Sequence, residues 1–200
     1  MSWCIFSGVV LIAFGASMAR PKQQDTSALS AKDIIIEAAL ALILEDGVAG
    51  ATARRIAAKA GLSPGTITYH FKSIDEILYA AFFKTTNKVA DFYYERLSQA
   101  KGQDEAREVV VDLICGDFLM SSGQMVLILE LYAFISRRPE YQALMHGWMK
   151  RSREALKIHF SEEAARGVDA LIEGIVLHNF LNNRSISREE TLRLVTAITK

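Results

Sequence analysis

The sequence predicts an all-α protein, and three observations lead to that prediction. The chain of 200 residues contains only three prolines, and its runs rich in Ala, Leu, Glu and Lys consist of good helix formers. Serine and threonine residues that can cap helices precede apolar segments whose spacing follows a helical period. No segment shows the alternation of apolar and polar residues that is typical of strands.

The first predicted helices are bounded by residues that favour helix ends. Ser30 can cap a helix formed by AKDIIIEAALALILEDG, in which Gly47 suits the left-handed position after the end. Thr52 can cap a second, short helix, ARRIAAKA, which Gly61 ends. Ser63 can cap a third short helix, which begins with proline at a position where the missing N–H costs nothing.

The later helices are longer. Ser73 and Glu76 form the capping-box pattern S-x-x-E before a predicted helix from residue 74 to about residue 97. Ser187 and Glu190 repeat the pattern before a last helix that ends at Ile198. Between these two, four helices are predicted, over residues 105–120, 124–137, 139–160 and 162–181. Pro139 begins the third of them, and Ser161 can cap the fourth.

Composition excludes several classes of function. The 23 basic and 23 acidic residues cancel, so no field of the whole protein attracts nucleic acid or membrane, and any polyanion site must be a local patch. Cys4 and Cys115 lack metal-ligand spacing, which argues against a disulfide framework or a zinc site and fits a reducing cytosol. We therefore expect a cytoplasmic protein without a metal or cofactor.

The N-terminal tail, residues 1–29, contains one uncharged apolar run, WCIFSGVVLIAFGA. This run is short for a membrane helix, which needs about 20 residues, and no basic residue precedes it as in a signal peptide. A polar, basic segment follows Met18. We interpret residues 1–17 as lying outside the native fold, because translation from an upstream start codon would add such a segment. We expect no membrane partner. A membrane-tethered protein is the alternative.

Residues 52–71 consist of two short predicted helices separated by AGLS. Gly61 can form the tight turn that sets two helices at a steep angle, the helix-turn-helix arrangement. Ile56, Leu62, Ile67 and Phe71 can be buried together and fix that angle. A purely structural helical hairpin would have the same pattern.

Charge and side-chain size indicate DNA binding by this segment. No Asp or Glu occurs between Gly47 and Lys72, whereas several cations do, and cations suit phosphate contact. The third helix begins with small residues that can approach base edges, and its N-terminal N–H groups favour phosphate. The candidate DNA-binding residues are Thr52, Arg54, Arg55, Ser63, Pro64, Gly65, Thr66, Thr68, Tyr69, His70 and Lys72.

Residues 31–80 resemble the DNA-binding domain of the TetR family of bacterial transcriptional regulators. Thr68 stands where relatives often have a larger residue that reads a base, and Ile74 stands where they usually have Lys or Arg. TITYHF is most similar to a subgroup with the pattern TTYYF. The matching residues are Ala38, Ala39, Gly47, Thr52, Ile56, Ala57, Ala60–Ser63, Gly65–Ile67, Tyr69–Ser73, Asp75 and Leu78.

The resemblance implies a homodimer that binds a double-stranded DNA operator and an unidentified small-molecule effector. It implies a helix-turn-helix domain over residues 30–76, joined by a long helix to a ligand-binding and dimerisation domain over residues 77–200. The candidate dimer interface consists of small and apolar residues on one face of each of the last two predicted helices: Gly167, Ala170, Gly174, Leu177, Leu181, Leu192, Val195 and Thr199. Packing within a single chain would give the same pattern. Candidate pocket residues are Phe118, Met120, Met125, Leu129, Tyr132, Trp148 and Met149, unless they are simply core.

Two other classes of function stay open at this point. An enzyme is disfavoured because no nucleophile-base set, paired carboxylates or phosphate loop is recognisable. A pocket with two close titratable groups of shifted pKa would favour it. A helical interaction module that lost DNA binding is the second alternative, and burial of Tyr69 and His70 would favour that class.

Overall fold

The computed structural model describes residues 29–182 and 185–200, and within these ranges the chain forms ten α-helices, one 3-10 turn and no strand. The prediction of an all-α fold is therefore confirmed. The interpretations of residues 1–28 fall outside the described residues. The first three helices are α1 (Ala31–Gly50), α2 (Ala53–Ala60) and α3 (Pro64–His70).

Gly47 produces a kink near the end of α1. Its φ of 70° lies in the region that favours glycine, and the helix resumes for a short stretch as far as Gly50. The predicted end of the helix is thus a break followed by a further turn. Beyond the break, the N–H of Val48 donates to the carboxylate of Glu130, with 2.9 Å between Val48 N and Glu130 Oε2.

The helices α2 and α3 form the predicted helix-turn-helix arrangement. Thr52 Oγ1 accepts the N–H of Arg55 at 3.4 Å and so caps α2. Gly61 then reverses the chain in the left-handed conformation, with φ 65° and ψ 27°. Three of the four apolar residues predicted to fix the angle are buried and Leu62 is half-buried; the buried ones are Ile56, Ile67 and Phe71.

The long helix α4 (Ile74–Gln99) connects the two parts of the molecule. Ser73 Oγ accepts the N–H of Glu76 at 3.2 Å, and Glu76 Oε2 accepts the N–H of Lys72 at 2.7 Å, so the predicted S-x-x-E pattern does cap the helix. Its 26 residues span about 39 Å at 1.5 Å per residue. Buried residues at its start pack with α1, and those near its end face the later helices.

The remaining helices are α5 (Gln103–Cys115), α6 (Asp117–Met120), α7 (Ser122–Ser136), α8 (Gln142–Leu156), α9 (Glu162–Asn182) and α10 (Arg188–Ile198), with a 3-10 turn at Pro139–Tyr141. The predictions for α9 and α10 are confirmed within one residue. Ser161 and Ser187 cap them by accepting the N–H groups of Ala164 and Glu190.

Two of the predicted helices are wrong in extent. The predicted helix over residues 105–120 is interrupted at Gly116, whose backbone is extended and where a Cβ would lie 2.5 Å from the carbonyl oxygen of Asp112. The helix predicted from Pro139 begins only at Gln142, because a 3-10 turn precedes it, and it ends at Leu156. A Cβ at position 116 would collide with that carbonyl oxygen, so the backbone conformation at the break suits glycine.

One apolar core extends from α1–α3 along α4 into the later helices. The helix α4 packs against α1 and α8, α7 packs against the end of α1, and α5 packs against α10. Among the described residues, no single helix is long and apolar enough to cross a membrane. A pair of segments bent by 93°, Gln103–Leu119 and Gly123–Ser136, reaches that length and apolarity when counted together.

Candidate nucleic-acid interface and cavity

The helix α3 presents an exposed face that its own cap holds in place. Ser63 Oγ accepts the N–H of Thr66 at 3.1 Å, and Pro64 occupies the first turn. The exposed positions of the segment include Ser63, Pro64, Gly65 and Thr68. The side chain of Tyr69 is 84% exposed, which is unusual for an aromatic residue. This face is free to meet a partner.

His70 and Thr68 contribute differently to that face. His70 is half-buried, and its ring meets the ring of Tyr69 edge to face, with 5.0 Å between the centroids. The hydroxyl of Thr68 donates to the carbonyl oxygen of Gly65 at 3.1 Å, so its methyl group is the part left to contact a partner. The exposure of Tyr69 argues against the interaction module that we considered as an alternative.

The cations of the acid-free stretch do not all remain available. Arg55 is paired with Asp46 and donates to the carbonyl oxygen of Gly50 at 3.0 Å. Lys59 is paired with Glu45 at 2.5 Å. These two acids lie in α1, just before the acid-free stretch, and folding brings them back onto α2. The predicted positive patch is therefore weaker than the linear sequence indicates.

Two other cations keep their charge exposed. Arg54 and Lys72 have exposed side chains, and neither has an ion-pair partner among the residues that the structure describes. Thr52, as the cap of α2, has its hydroxyl oxygen directed at a backbone N–H. The structure thus brings the exposed face of α3 together with two cations from its flanking segments.

A cavity of about 370 Å³, partly open to solvent, lies between α4, α7, α8 and α9. Four of the predicted pocket residues line it: Met125, Leu129, Tyr132 and Trp148. Phe118 does not, because its ring stacks on that of Phe92 with 4.0 Å between the centroids, and Met149 lines a different depression beside Lys150. The side chain of Met120 falls outside the described part of the chain.

The cavity wall includes one carboxylate, which the sequence analysis did not single out. Glu173 lies on α9 among apolar and aromatic side chains. Burial raises its pKa most, the charge of Asp169 adds to that increase, and the neighbouring hydroxyl of Tyr132 and the charge of Arg153 oppose it. An acidic residue within the apolar face that also contains Ala170, Gly174 and Leu177 was the available signal.

Neighbouring groups extend this polar network. Arg153 on α8 donates to Asp169 on α9, with 2.8 Å between Nε and Oδ2, although burial still raises the pKa of Asp169. Burial also raises the pKa of Tyr93 and of Tyr132, and in both cases the charge of Glu173 contributes to the increase. Both phenols therefore stay protonated and can act as donors.

The predicted dimer residues do not share one environment. Ala170, Gly174 and Leu177 line the cavity, and a Cβ on Gly167 would lie 2.8 Å from Ile198 of the same chain. Leu192 is half-buried, whereas Leu181 is 63% exposed.

Val195 and Thr199 were predicted wrongly as interface residues. Val195 is fully buried and Thr199 is 3% exposed. Arg107 on α5 donates to Thr199 Oγ1 at 2.8 Å, so this face of α10 packs within the chain. The large apolar side chain that α10 does expose is Leu194, at 39%.

The helix α7 contacts both the cavity and the α1–α3 unit. Met125, Leu129 and Tyr132 line the cavity from α7, while Glu130 binds the N–H of Val48 at the kink of α1. Arg138, just after α7, lies 3.5 Å from Asp75 at the start of α4. No metal-binding cluster of His, Cys, Asp or Glu occurs among the described residues.

Comparison with known proteins gives a consistent result. Residues 35–81 match the model of the family described as bacterial regulatory proteins, tetR family. The chain is 30% identical over 171 residues to the HTH-type transcriptional regulator BetI 1 of Chromohalobacter salexigens, and the alignment covers 80% of this chain and 84% of that protein.

Solved structures extend the similarity to most of the chain. SCO7518 of Streptomyces coelicolor A3(2), described as a candidate transcriptional regulator, is 41% identical, has a TM-score of 0.81, and matches 85% of this chain and 98% of its own. The multidrug binding protein EbrR complexed with imidazole is 25% identical with a TM-score of 0.71, covering 86% of this chain and 97% of that one. Other structures of EbrR contain proflavin, malachite green or ethidium.

Proposed function

The chain belongs to the TetR family of bacterial regulatory proteins, and on that premise we propose that this DNA-binding regulator is a dimeric repressor released from its operator by a small molecule. The observation that carries the proposal is the exposed face of α3, from which Tyr69 extends into solvent. The regulator acts in the cytoplasm, where its operator lies.

The arrangement of α3 suits the major groove. Pro64, Gly65 and the methyl group of Thr68 are small enough to approach base edges. Tyr69 and Lys72 can reach phosphates on either side, as can Arg54 from α2. The domain boundary that we propose, between residues 76 and 77, falls within the first turn of α4.

The two contacts of α7 support release by a ligand. A ligand in the cavity touches Met125, Leu129 and Tyr132 on one side of this helix, and Glu130 on the same helix holds the end of α1. A shift of α7 therefore moves the unit formed by α1–α3. If the ligand favours the shifted arrangement, the two α1–α3 units of a dimer no longer match DNA half-sites that are about 34–36 Å apart.

The dimer interface that we propose lies on α9 and α10. Leu181 and Leu194 are exposed apolar side chains on these adjacent helices, and association with a second copy would cover them. The complexes of EbrR with imidazole and with proflavin support a ligand-binding role for this chain. The alternative is a module of the same fold without specific DNA binding.

One observation favours an enzyme as a second candidate. Glu173 and Tyr132 are neighbouring groups in a cavity, and burial raises the pKa of each, the feature that we named as a signature of catalysis. Packed polar networks produce the same shifts, however, and the relatives are transcriptional regulators. The regulator is therefore the better supported function.

The test is fluorescence anisotropy of the full chain with labelled DNA from immediately upstream of its own gene. A scrambled duplex is the control, at about 50 and about 200 mM salt, a range over which phosphate-dominated binding falls by orders of magnitude. We expect the upstream DNA alone to stay bound at the higher salt. Equal binding of both duplexes would contradict regulation through that site, and absence of binding at low salt would favour the module.

A further inference from the structure

The cavity combines a carboxylate with aromatic walls. Among the described residues that line it, Glu173 is the one with a charged side chain, and no Lys, Arg or His lies on the wall. Tyr93, Tyr132 and Trp148 contribute rings, and the rings of Tyr132 and Trp148 are roughly parallel, with 6.4 Å between their centroids. The faces of aromatic rings attract positive charge.

The charges around the cavity do not cancel. Arg153 reaches towards α9 from α8, but its guanidinium donates to Asp169, which is 6% exposed at the side chain. Asp169 and Glu173 are one helical turn apart on α9. Two carboxylates thus share one guanidinium, while the groups that face Glu173 from α4 and α7 are the neutral phenols of Tyr93 and Tyr132. When both carboxylates are ionised, the site therefore has a net negative charge.

This charge costs stability unless something binds to it. A carboxylate in apolar surroundings is unfavourable without a partner, and the neighbouring hydroxyl of Tyr132 can donate to a glutamine as well as to a glutamate. A neutral apolar ligand would gain nothing from the charge, and an anion would be repelled. An organic cation gains from both the carboxylate and the rings.

We propose that the effector of this regulator is a hydrophobic organic cation, bound in the cavity with its positive charge against Glu173 and the rings of Tyr132 and Trp148. The proposal rests on the proposed function, in which this cavity receives the effector. The volume of about 370 Å³ is in the range of small-molecule sites, and Met125 and Met145 can adapt to the outline of the apolar part.

The experiment compares ligands that differ in charge but hardly in shape. Isothermal titration calorimetry of the full chain uses benzyltrimethylammonium, its neutral isostere neopentylbenzene, and the anion phenylmethanesulfonate. The variants are Glu173→Gln and, as a matched control, Glu163→Gln, which removes an exposed carboxylate from the same helix. Thermal unfolding of each variant verifies that it is folded, and Tyr132→Phe keeps the ring while removing the hydroxyl beside Glu173.

We expect the native chain to bind the cation at least about tenfold more tightly than the neutral isostere, and the anion most weakly. Glu173→Gln removes this preference, whereas Glu163→Gln keeps it. Tyr132→Phe, in which the carboxylate and the ring remain, retains a preference for the cation. Failure of the native chain to bind the cation, equal affinities for the cation and the isostere, or a preference that survives Glu173→Gln would overturn the proposal.

Operator binding by the same preparations separates the two proposals. If the native chain binds its upstream DNA specifically but does not prefer the cation, the ligand class is wrong and the regulator stands. If the cation binds through Glu173 and no DNA is bound, the cation site stands and the repressor is wrong.

Discussion

Glu130 accepts a hydrogen bond from the backbone N–H of Val48, a residue 82 positions earlier in the chain, with 2.9 Å between Val48 N and Glu130 Oε2. The bond joins α7, which lines the cavity, to the kink in α1, which supports the helix-turn-helix unit. Gly47 provides the backbone conformation at this contact. A Cβ there would lie 3.0 Å from Glu130 Oε1, and the φ of 70° disfavours other residues.

Replacing Glu130 tests whether this hydrogen bond couples the cavity to the α1–α3 unit. Glu130→Ala leaves the half-buried N–H of Val48 without its acceptor, so we expect the free energy of unfolding to fall by about 1–3 kcal/mol. Denaturant unfolding measures this change, and hydrogen exchange at Val48 should accelerate.

The matched variant is Glu130→Gln, which keeps an acceptor oxygen and should cost less. If Glu130→Ala is as stable as the native chain and exchange at Val48 is unchanged, the bond does not join the two parts of the molecule. In the native chain a cavity ligand should weaken operator binding, and in Glu130→Ala this effect should be smaller.

The raised pKa of Glu173 predicts a pH dependence of stability. Burial disfavours its charged form in the folded chain, so the folded state binds this proton more tightly than the unfolded state does. Stability is therefore lost as pH rises from the ordinary pKa of the carboxyl through its raised pKa. Glu173→Gln, which stays neutral, should be more stable than the native chain above that range and equally stable below it.

Denaturant unfolding at a series of pH values from about 4 to about 8 measures this difference. Glu163→Gln, an exposed change on the same helix, should follow the native curve throughout. A Glu173→Gln variant that is less stable than the native chain at neutral pH would mean that the charged carboxylate stabilises the fold, contrary to our account of the cavity.

The two adjacent arginines of α2 should differ in their effect on DNA binding. Arg54 is exposed and unpaired among the described residues, whereas Arg55 is held by Asp46 and the carbonyl oxygen of Gly50. Arg54→Ala should reduce the magnitude of the slope of log affinity against log salt concentration by about 0.9 for each α1–α3 unit, as expected for one lost phosphate contact. Arg55→Ala should leave the slope nearly unchanged and cost at most about 1 kcal/mol of stability.

Anisotropy titrations over a salt series give both slopes under the same conditions. Equal reductions for the two variants would mean that Arg55 leaves Asp46 and contacts phosphate as originally predicted. The comparison therefore tests whether the acids of α1 restrict the positive patch in the complex as they do in the free protein.

Local chemistry made much of the fold predictable. The predicted caps Ser30, Thr52, Ser63 and Ser73 each accept the backbone N–H of the residue three positions later, because a side-chain oxygen can satisfy that donor whatever the rest of the chain does. The break at Gly116 was missed because a single glycine inside a helical pattern is often tolerated, although glycine is a poor helix former.

The candidate sites were harder to predict, because they depend on which elements meet. Lys59 is neutralised by Glu45 of α1, a pairing that only the packing of α1 on α2 creates. The apolar period of α10 gave no means of telling a face buried within the chain from one that meets a second copy, so Val195 was assigned to the wrong surface. Glu173 was overlooked because one acid in an apolar stripe resembles an exposed position.

The most direct test of DNA recognition compares two exposed tyrosines. Tyr69 on α3 is 84% exposed and Tyr94 on α4 is 60% exposed, and only the first lies on the proposed DNA-binding face. The measurement is the anisotropy of upstream DNA titrated with the full chain, native or carrying Tyr69→Ala or Tyr94→Ala, with thermal unfolding of each. We predict that Tyr69→Ala weakens binding by about tenfold or more through loss of a bond to phosphate, while Tyr94→Ala binds as the native chain does. Native affinity in a folded Tyr69→Ala variant would contradict the assignment of α3 as the recognition helix.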